Sequence, residues 1–338
     1  MEGIIITKTP LRISFMGGGT DLPEYFNKYG GIVIGAAINK YMYVTINSLE
    51  RIFEKKIRLS YSKLEQVDNV SQLKHELARS ILTNHPFTQK NIFLDMHSYA
   101  DLPSSSGIGS SSSFAVGMLN ALYLLHGVYK SSFDLAAEAI KIEREILRHK
   151  GGWQDQILAA YGGFNKIIFA HGSFEVEPIC ISQEKLKALQ DSCLLFFTGQ
   201  TRFSSDVQTK LSHNSPHRNY SNLHKIASHA TEAVNILTNA TSPTHLIQGL
   251  GELMAESWKI KKSLADAISN HEIDTMYQKA MRAGALGGKV CGAGGGGFLL
   301  IITLPKNRQK IISTLKKYKC VQFLFDFRGS LPIYCWKY

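Results

Sequence analysis

The sequence predicts an α+β protein built from two domains. Short aliphatic strands alternate with helices in the first half of the chain, whereas long helical patterns dominate the second half. The C-terminal end then returns to the order strand, helix, strand, strand. At 338 residues the chain is long enough to bury two hydrophobic cores. We place the boundary near residue 185, which gives domains of 1–185 and 186–338.

Strands and two helices account for the first half. The strands are aliphatic or β-branched runs at residues 4–7, 41–47 and 92–96. A helix over 111–126 has one continuous apolar face and can end at Gly127. A second helix, over 133–149, begins after Ser131, whose hydroxyl can cap it.

In the second half, a strand over 194–198 is followed by helical patterns that continue to residue 283. The final elements are a strand at 298–303, a helix at 309–317, and strands at 321–327 and 333–336.

The net charge of +11 indicates either a nucleic-acid protein or an enzyme whose ligands are polyanions. The basic residues are dispersed, and the sequence has no zinc-finger spacing, RNA-recognition signature or arginine-rich arm. We therefore expect no nucleic-acid partner and keep that class as a minor alternative.

Localisation is predicted from apolar runs and cysteines. No apolar run approaches the roughly 20 residues of a membrane helix, and the N-terminus has no export-signal pattern. The five cysteines are odd in number and include no CxxC pair, which favours reduced thiols in a cytoplasmic protein.

The most informative of three glycine-rich segments follows a predicted strand and opens the helix over 111–126. Unpaired amides at a helix N-terminus bind phosphate, and the serine hydroxyls add donors. No lysine follows in the Walker manner, so this is not a P-loop. A flexible Gly/Ser connector is the alternative. The predicted ATP-binding residues are Pro103, Ser104, Ser105, Ser106, Gly107, Ile108, Gly109, Ser110, Ser111 and Ser112.

The first glycine segment, 17–19, follows a strand in which Arg12 and Ser14 lie opposite the apolar side chains. The segment delivers Asp21 and then Glu24, and carboxylates beside a glycine turn are good acceptors for sugar hydroxyls. A helix-capping role for Asp21 is equally compatible with the pattern.

The third segment, 292–297, formally matches GxGxxG. A dinucleotide site needs a helix after this motif, but an apolar strand follows here, so a tight turn entering a core strand explains the pattern better.

Two further carboxylates lie near glycines or at a helix edge. Asp155 follows Gly151 and Gly152 and can either act in a site or cap the next helix. Glu143 lies at the edge of an apolar helical stripe, where it can point into a cleft or into solvent.

The three glycine segments, in this order, resemble the motifs of the GHMP kinase superfamily, which includes galactokinase, homoserine kinase and mevalonate kinase. Galactokinases carry Gly-Glu-His-Thr-Asp where this chain has Gly-Gly-Gly-Thr-Asp at 17–21. The segments 11–23, 152–156 and 199–202 look most like D-glycero-D-manno-heptose 7-phosphate kinases, and fucokinase domains share parts of them. The resemblance implies an N-terminal βαβ domain with a left-handed crossover and a ferredoxin-like C-terminal domain.

The resemblance also implies transfer of a phosphoryl group from ATP to the anomeric hydroxyl of D-glycero-D-manno-heptose 7-phosphate. ATP and Mg²⁺ are the implied cofactors, with Ser111 and Glu143 as metal ligands. Asp155 would take the proton of the acceptor hydroxyl, and Arg12 would keep that aspartate ionised and stabilise developing negative charge. The implied substrate-binding residues are Gly18, Gly19, Thr20, Asp21, Glu24, Gly294, Gly295 and Arg202.

Several alternatives stay open within this resemblance. Arg202 can hold the 7-phosphate or form a structural ion pair. The acceptor can be another sugar, such as fucose. A different functional class, a catalytically silent protein that senses a sugar or nucleotide, also stays open. A homodimer is compatible with the sequence, and no membrane partner is expected.

Overall fold

The computed structural model describes residues 3–50, 52–88, 92–199 and 216–337. The helices are α1 (Pro23–Tyr29), α2 (Glu76–Asn84), α3 (Ser110–Leu125), α4 (Ser132–Ile140), α5 (Gln154–Tyr161), α6 (Gln183–Ser192), α7 (Pro216–Asn239), α8 (Pro243–Lys262), α9 (His271–Arg282) and α10 (Pro305–Thr314). The strands are β1 (Gly3–Met16), β2 (Gly31–Ser48), β3 (Ile57–Ser60), β4 (Leu64–Val67), β5 (Leu94–Ala100), β6 (Phe164–Ala170), β7 (Ser173–Pro178), β8 (Cys193–Phe197), β9 (Ala285–Val290), β10 (Phe298–Thr303), β11 (Lys319–Val321) and β12 (Leu331–Lys337).

The larger sheet has the order β12-β1-β2-β5-β3-β4, and β6 joins it beside β2 and carries β7 on its other side. β1 and β2 pair antiparallel along most of their length, with a register shift at Pro10/Leu11. Proline has no N–H to donate, so an irregularity in pairing is expected there. The shift lies just before Arg12, the first residue of the site.

A βαβ unit is present in this sheet. β3 and β5 pair in parallel, and the chain between them contains α2. The left-handed sense of this crossover stays a prediction.

The smaller sheet has the order β11-β8-β10-β9, all antiparallel. Among the described residues, helices α7 to α9 lie between β8 and β9 in the chain, and α10 lies between β10 and β11. This order is that of a ferredoxin-like domain, so the fold predicted from the sequence is confirmed.

The strands that form the ferredoxin-like sheet differ from those predicted. The predicted strand at 321–327 is only β11 and an isolated bridge from Ile38 to Phe325. The predicted strand at 333–336 is β12, which pairs with β1 in the larger sheet. The sequence analysis missed β9, which supplies the fourth strand of the smaller sheet.

The strand β9 was missed because glycine replaces the usual β-branched residues there. A Cβ on Gly287 would lie 2.0 Å from the carbonyl oxygen of Gly251 in α8, and a Cβ on Gly288 would lie 2.6 Å from that of Leu300. The two glycines therefore let the helix and the neighbouring strand approach β9 closely, and tertiary packing overrides local propensity.

The helix predicted over 133–149 is divided. Its start is confirmed, since the Asp134 amide donates to the Ser131 hydroxyl over 3.1 Å. After α4, residues 141–146 form a π-helical turn that contains Glu143. Such turns are often found at functional sites because the extra residue redirects side chains.

Buried side chains from both halves of the chain form common clusters. One cluster includes Ile5, Phe26, Trp258 and Leu299. The helix α7 also packs against β1 and β2. No helix in the described ranges is both long and apolar enough to cross a membrane.

Candidate active site

The centre of the site is an ion pair between the two predicted catalytic residues. β1 carries Arg12, which is only 2% exposed, and the first turn of α5 carries Asp155, which is 28% exposed. Arg12 Nε donates to Asp155 Oδ1 over 2.7 Å, and Nη2 forms an ion-pair contact of 2.6 Å with the same oxygen. A third donor, Nη1, lies 2.5 Å from the carbonyl oxygen of Gly107. Arg12 thus fixes Asp155 against the second glycine loop.

The first glycine loop places the predicted residue Asp21 beside this pair. Its carboxylate accepts from the Gly19 amide over 2.9 Å and from Gln154 Nε2 over 3.0 Å. Burial raises the pKa of Asp21, and the negative charge of Asp155 acts in the same direction. A carboxylate held by two donors in this way is a fixed acceptor for a sugar hydroxyl.

A close approach holds Asp21 in position. A Cβ on Gly152 would lie 1.7 Å from Asp21 Oδ2, so only glycine fits the turn before α5. Gln154 donates to Asp21 through Nε2, but its other amide atom, Oε1, is buried and has no hydrogen-bond partner in the described chain. A buried, unpaired amide oxygen costs free energy, and a hydroxyl of a bound ligand would remove this cost.

The second glycine loop ends at an open helix N-terminus. Gly109 precedes α3 with φ of +79° and provides no side-chain cap. The first helical hydrogen bond is from the Ser113 amide to the Gly109 carbonyl, over 2.9 Å. The amides of Ser110, Ser111 and Ser112 therefore lack helical acceptors and can bind an anion. This geometry agrees with the predicted nucleotide loop.

The serines of this loop have different environments. Ser106 donates to the Pro103 carbonyl over 2.5 Å, which closes the loop. Ser112 is buried and hydrogen-bonded to Glu143. Ser111 is exposed at the helix start, so its hydroxyl is open to a ligand.

Glu143 is a buried carboxyl group. It accepts from Gln156 Nε2 over 2.9 Å and from the Ser112 hydroxyl. Burial raises its pKa to about 7, although these hydrogen bonds oppose the shift. In the described residues no basic side chain forms an ion pair with it.

A magnesium ion fits this environment chemically. Mg²⁺ prefers oxygen ligands and is commonly held by one or two carboxylates together with phosphates and water. Glu143 forms no ion pair among the described residues, and the Ser112 hydroxyl that it accepts from is the neighbour of the exposed Ser111. The described ranges contain no group of three or more acidic, His or Cys side chains placed to hold a metal.

The third glycine loop supports the second instead of presenting all its amides to a ligand. A Cβ on Gly297 would lie 2.1 Å from the Ser106 carbonyl oxygen, and one on Gly292 would lie 2.8 Å from Gly107 Cα. The Gly295 amide donates to Ile268 over 2.8 Å. The loop joins β9 to β10, as expected for a tight turn entering a core strand.

Some predicted substrate residues lie away from the centre or have structural contacts. Thr20 is buried with its hydroxyl 2.9 Å from the carbonyls of Gly17 and Ile32. Glu24 is 69% exposed and pairs with Arg144 over 3.1 Å. Gly18 lines a pocket, whereas Gly294 packs against Ile268. Arg202 lies outside the described residues.

The sequence analysis missed two lysines. Lys261, near the end of α8, donates to the Gly292 carbonyl over 2.7 Å. Lys289, on β9, lies 3.3 Å from the Phe15 carbonyl oxygen. In the sequence, Lys261 looks like one of several solvated lysines at the end of a helix, so nothing marks it as a site residue. Lys289 was missed because it lies on β9, a strand that was not predicted. The only sequence signal was a lysine within a glycine and valine run before the third loop.

Comparisons with known proteins show the family of the chain. The family model for the GHMP kinases N terminal domain matches residues 48–163, and that for GHMP kinases C terminal matches residues 240–320. The chain is 32% identical over 321 residues to a D-glycero-alpha-D-manno-heptose 7-phosphate kinase of Campylobacter jejuni, and the match covers 93% of both proteins.

Two further relatives support the same family. A crystal structure of a D-glycero-D-manno-heptose 1-phosphate kinase from Bacteroides thetaiotaomicron is similar with a TM-score of 0.77 and 25% identity, covering 99% of both chains. A bifunctional fucokinase/GDP-fucose pyrophosphorylase of Arabidopsis thaliana is 25% identical, over 89% of this chain and 30% of that protein. With GHMP kinase models matching both halves and 32% identity to a heptose 7-phosphate kinase over 93% of its length, the chain belongs to the GHMP kinase family.

Proposed function

We propose that this kinase transfers the γ-phosphoryl group of ATP to the anomeric hydroxyl of D-glycero-D-manno-heptose 7-phosphate. The observation that carries the proposal is the Arg12–Asp155 pair, held between the first glycine loop and the open N-terminus of α3. The similarity to a heptose 7-phosphate kinase over 93% of the chain supports the choice of sugar.

Asp155 is suited to receive the acceptor proton. The hydrogen bond and the closest ion-pair contact from Arg12 both go to Oδ1, and no hydrogen bond to Oδ2 is found among the described residues. The acceptor oxygen attacks the γ-phosphorus, the bond from that phosphorus to the β,γ-bridging oxygen breaks, and ADP leaves. The hydroxyl proton passes to Oδ2. Arg12 remains charged throughout and offsets the negative charge that gathers around the reacting oxygens.

Nucleotide phosphates would bind at the start of α3. The free amides there and the helix dipole favour an anion. Gly107 and Gly109 have no side chains, so a phosphate can approach the backbone of the loop closely. Glu143 and Ser111 would hold Mg²⁺, which supplies neutralisation of phosphate charge when bound.

The sugar would lie against the first glycine loop. Asp21 would accept from its hydroxyls, and the unpaired Oε1 of Gln154 offers a second acceptor. This placement puts the sugar next to Asp155, because Gln154 is the adjacent residue.

The test is ADP release with a panel of acceptors. The panel contains heptose 7-phosphate, heptose 1-phosphate, unphosphorylated heptose and fucose, since the related kinases differ in their named acceptors. We expect the highest kcat/KM with heptose 7-phosphate, and phosphorus NMR should locate the new phosphate on the anomeric carbon. Preferred turnover of fucose, or sugar binding without any turnover, would contradict the proposal.

A further inference from the structure

A narrow pocket beside the first glycine loop contains two lysines. It is lined by Gly17 and Gly18 on one side and by Ser257, Trp258, Lys261 and Lys289 on the other. The enclosed part of the pocket is small, and most of its space lies at the open mouth. The pocket therefore lies between β1, α8 and β9, on the sugar side of the Arg12–Asp155 pair.

The two ammonium groups have no acidic partner. Lys289 is only 5% exposed, and its Nζ makes long contacts of 3.3 and 3.5 Å with the Phe15 carbonyl and the Ser14 hydroxyl. Lys261 makes one bond, to the Gly292 carbonyl. In the described part of the chain neither lysine forms a salt bridge, so each retains donors for another group.

Asp21 does not neutralise them. It is a nearby negative charge and favours the charged form of both lysines. Its oxygens, however, accept from Gly19 and Gln154, and no contact within salt-bridge distance joins it to either lysine.

The pocket consequently contains two amino groups without an ion-pair partner among the described residues. Burial lowers the pKa of Lys261 to about 8 and that of Lys289 to about 7, and the charge of Lys261 adds to the shift at Lys289. The indole Nε1 of Trp258 is also buried without a hydrogen-bond partner in the described residues. Burying the two lysine amino groups and the unpaired indole N–H costs free energy. An anion that accepts from these three donors would remove that cost.

We propose that this pocket binds the phosphate ester of the sugar acceptor, with Lys261 and Lys289 as its ligands. The inference rests on the proposed function for the position of the sugar and adds the residues that select a phosphorylated acceptor. Lysines bind phosphate as point charges through charge-assisted hydrogen bonds.

Continuity with the sugar site supports this assignment. A Cβ on Gly18 would lie 3.7 Å from Gln154 Nε2 and 3.8 Å from Lys261 Nζ. The same glycine therefore separates the groups that face the sugar hydroxyls from those that face the pocket. One ligand can reach both, with its ring near Asp155 and its phosphate at the lysines.

The experiment removes each charge by itself. Lys261→Met and Lys289→Met keep most of the side-chain volume, and the exposed Lys259→Met on the same helix is the matched control. Loss of a charge-assisted hydrogen bond should raise the KM for heptose 7-phosphate about 10- to 100-fold in either site variant. The KM for ATP and turnover of unphosphorylated heptose should stay near those of the parent and of Lys259→Met.

Binding is measured in parallel, without turnover. Trp258 lines the pocket, so its fluorescence should respond to heptose 7-phosphate and to inorganic phosphate, and a Trp258→Phe variant identifies its share of the signal. Thermal unfolding of each variant separates a lost ligand contact from a lost fold.

The outcomes separate the two proposals. If heptose 7-phosphate is not turned over but another sugar phosphate binds in a Lys261-dependent manner, the proposed substrate is wrong and the phosphate pocket stands. If heptose 7-phosphate is turned over and folded Lys261→Met and Lys289→Met retain its KM, the pocket assignment is wrong. Equal losses with phosphorylated and unphosphorylated heptose also contradict the assignment.

Discussion

Arg12 meets Asp155 at Oδ1, with a 2.7 Å hydrogen bond from Nε and a 2.6 Å contact from Nη2. Among the described residues no hydrogen bond to Oδ2 is found, so in the proposed mechanism that oxygen is left for the acceptor hydroxyl. The mechanism we propose gives the two residues separate tasks: the arginine orients the carboxylate, and the aspartate receives a proton.

Replacing Asp155 with asparagine tests this division. Asp155→Asn keeps an oxygen for Arg12 but cannot accept a proton from the sugar, so kcat should fall by at least about 10²-fold. ATP binding, followed by equilibrium titration, should be retained. The control is Asp191→Asn, which removes an exposed carboxylate paired with Lys187. Near-normal turnover in Asp155→Asn would contradict the base role.

Glu143 should make stability depend on pH. Its pKa is about 7 in the folded protein and near 4.5 when unfolded, so the unfolded chain loses the proton first. The contribution of this group is therefore fully present below about pH 4.5, and it is lost as pH rises to about 7. Relative to the parent, Glu143→Gln should gain stability over this range and show no further change above it.

The measurement is urea unfolding from about pH 4.5 to about pH 8 without nucleotide or divalent cation. Glu252→Gln, at an exposed position on α8, controls for loss of a carboxylate. A constant difference between Glu143→Gln and the parent across this range would show that Glu143 does not carry the dependence.

Individual residues were predicted unequally well from the sequence. Arg12, Asp21 and Asp155 were predicted from their positions near glycine segments together with the resemblance to the GHMP kinase motifs, and the structure brings them together. Their roles stay predictions. Lys261 and Lys289 were not predicted, because their importance arises from burial against the first glycine loop. That proximity joins residues far apart in the chain, and no local pattern encodes it.

At the scale of elements, the start of α3 connects the predicted nucleotide loop to the Arg12–Asp155 pair. Gly109 adopts a left-handed conformation, and a Cβ there would lie 3.2 Å from Arg12 Cγ and 3.7 Å from Asp155 Cβ. Gly109 therefore makes two contributions. It allows the left-handed backbone turn, and its lack of a side chain lets Arg12 and Asp155 pack closely against the loop.

The two contributions can be separated with a second glycine. Gly172 has a φ of +72°, similar to the +79° of Gly109, but a Cβ there meets nothing within 4 Å. Both Gly109→Ala and Gly172→Ala should lose about 1–2 kcal/mol of stability from the left-handed backbone. Only Gly109→Ala should also lose turnover, by at least about 10-fold, because it displaces Arg12. Equal kcat values for the two folded variants would contradict this role.

Elements with strong local patterns were predicted, and those determined by packing were missed. The apolar face of α3 and the serine cap of α4 are local signals, and both are confirmed. β9 contains two glycines because α8 and β10 approach it closely, so its sequence does not indicate a strand. The π-helical turn at 141–146 likewise interrupts a continuous helical pattern.

At the scale of the whole molecule, the last strand returns to the first. β12 pairs with β1 through a register from Gly3 opposite Lys337 to Lys8 opposite Leu331. The sequence predicted this strand but placed it in the C-terminal domain, since pairing partners cannot be identified from one strand's pattern. The division at residue 185 therefore separates most of the larger sheet from its edge strand.

The fragment 1–185 should consequently fail to fold by itself. Without β12, β1 exposes an unpaired edge, and without α7 and α8 the buried cluster containing Ile5 and Phe26 loses Trp258. We expect the isolated fragment to show no cooperative urea transition and poor dispersion in its amide NMR spectrum. Adding the fragment 186–338 should restore both by supplying the missing strand and helices. In the full chain, circular dichroism and tryptophan fluorescence should report one coincident transition. A well-dispersed spectrum from 1–185 alone would mean that the larger sheet is independent of its C-terminal strand.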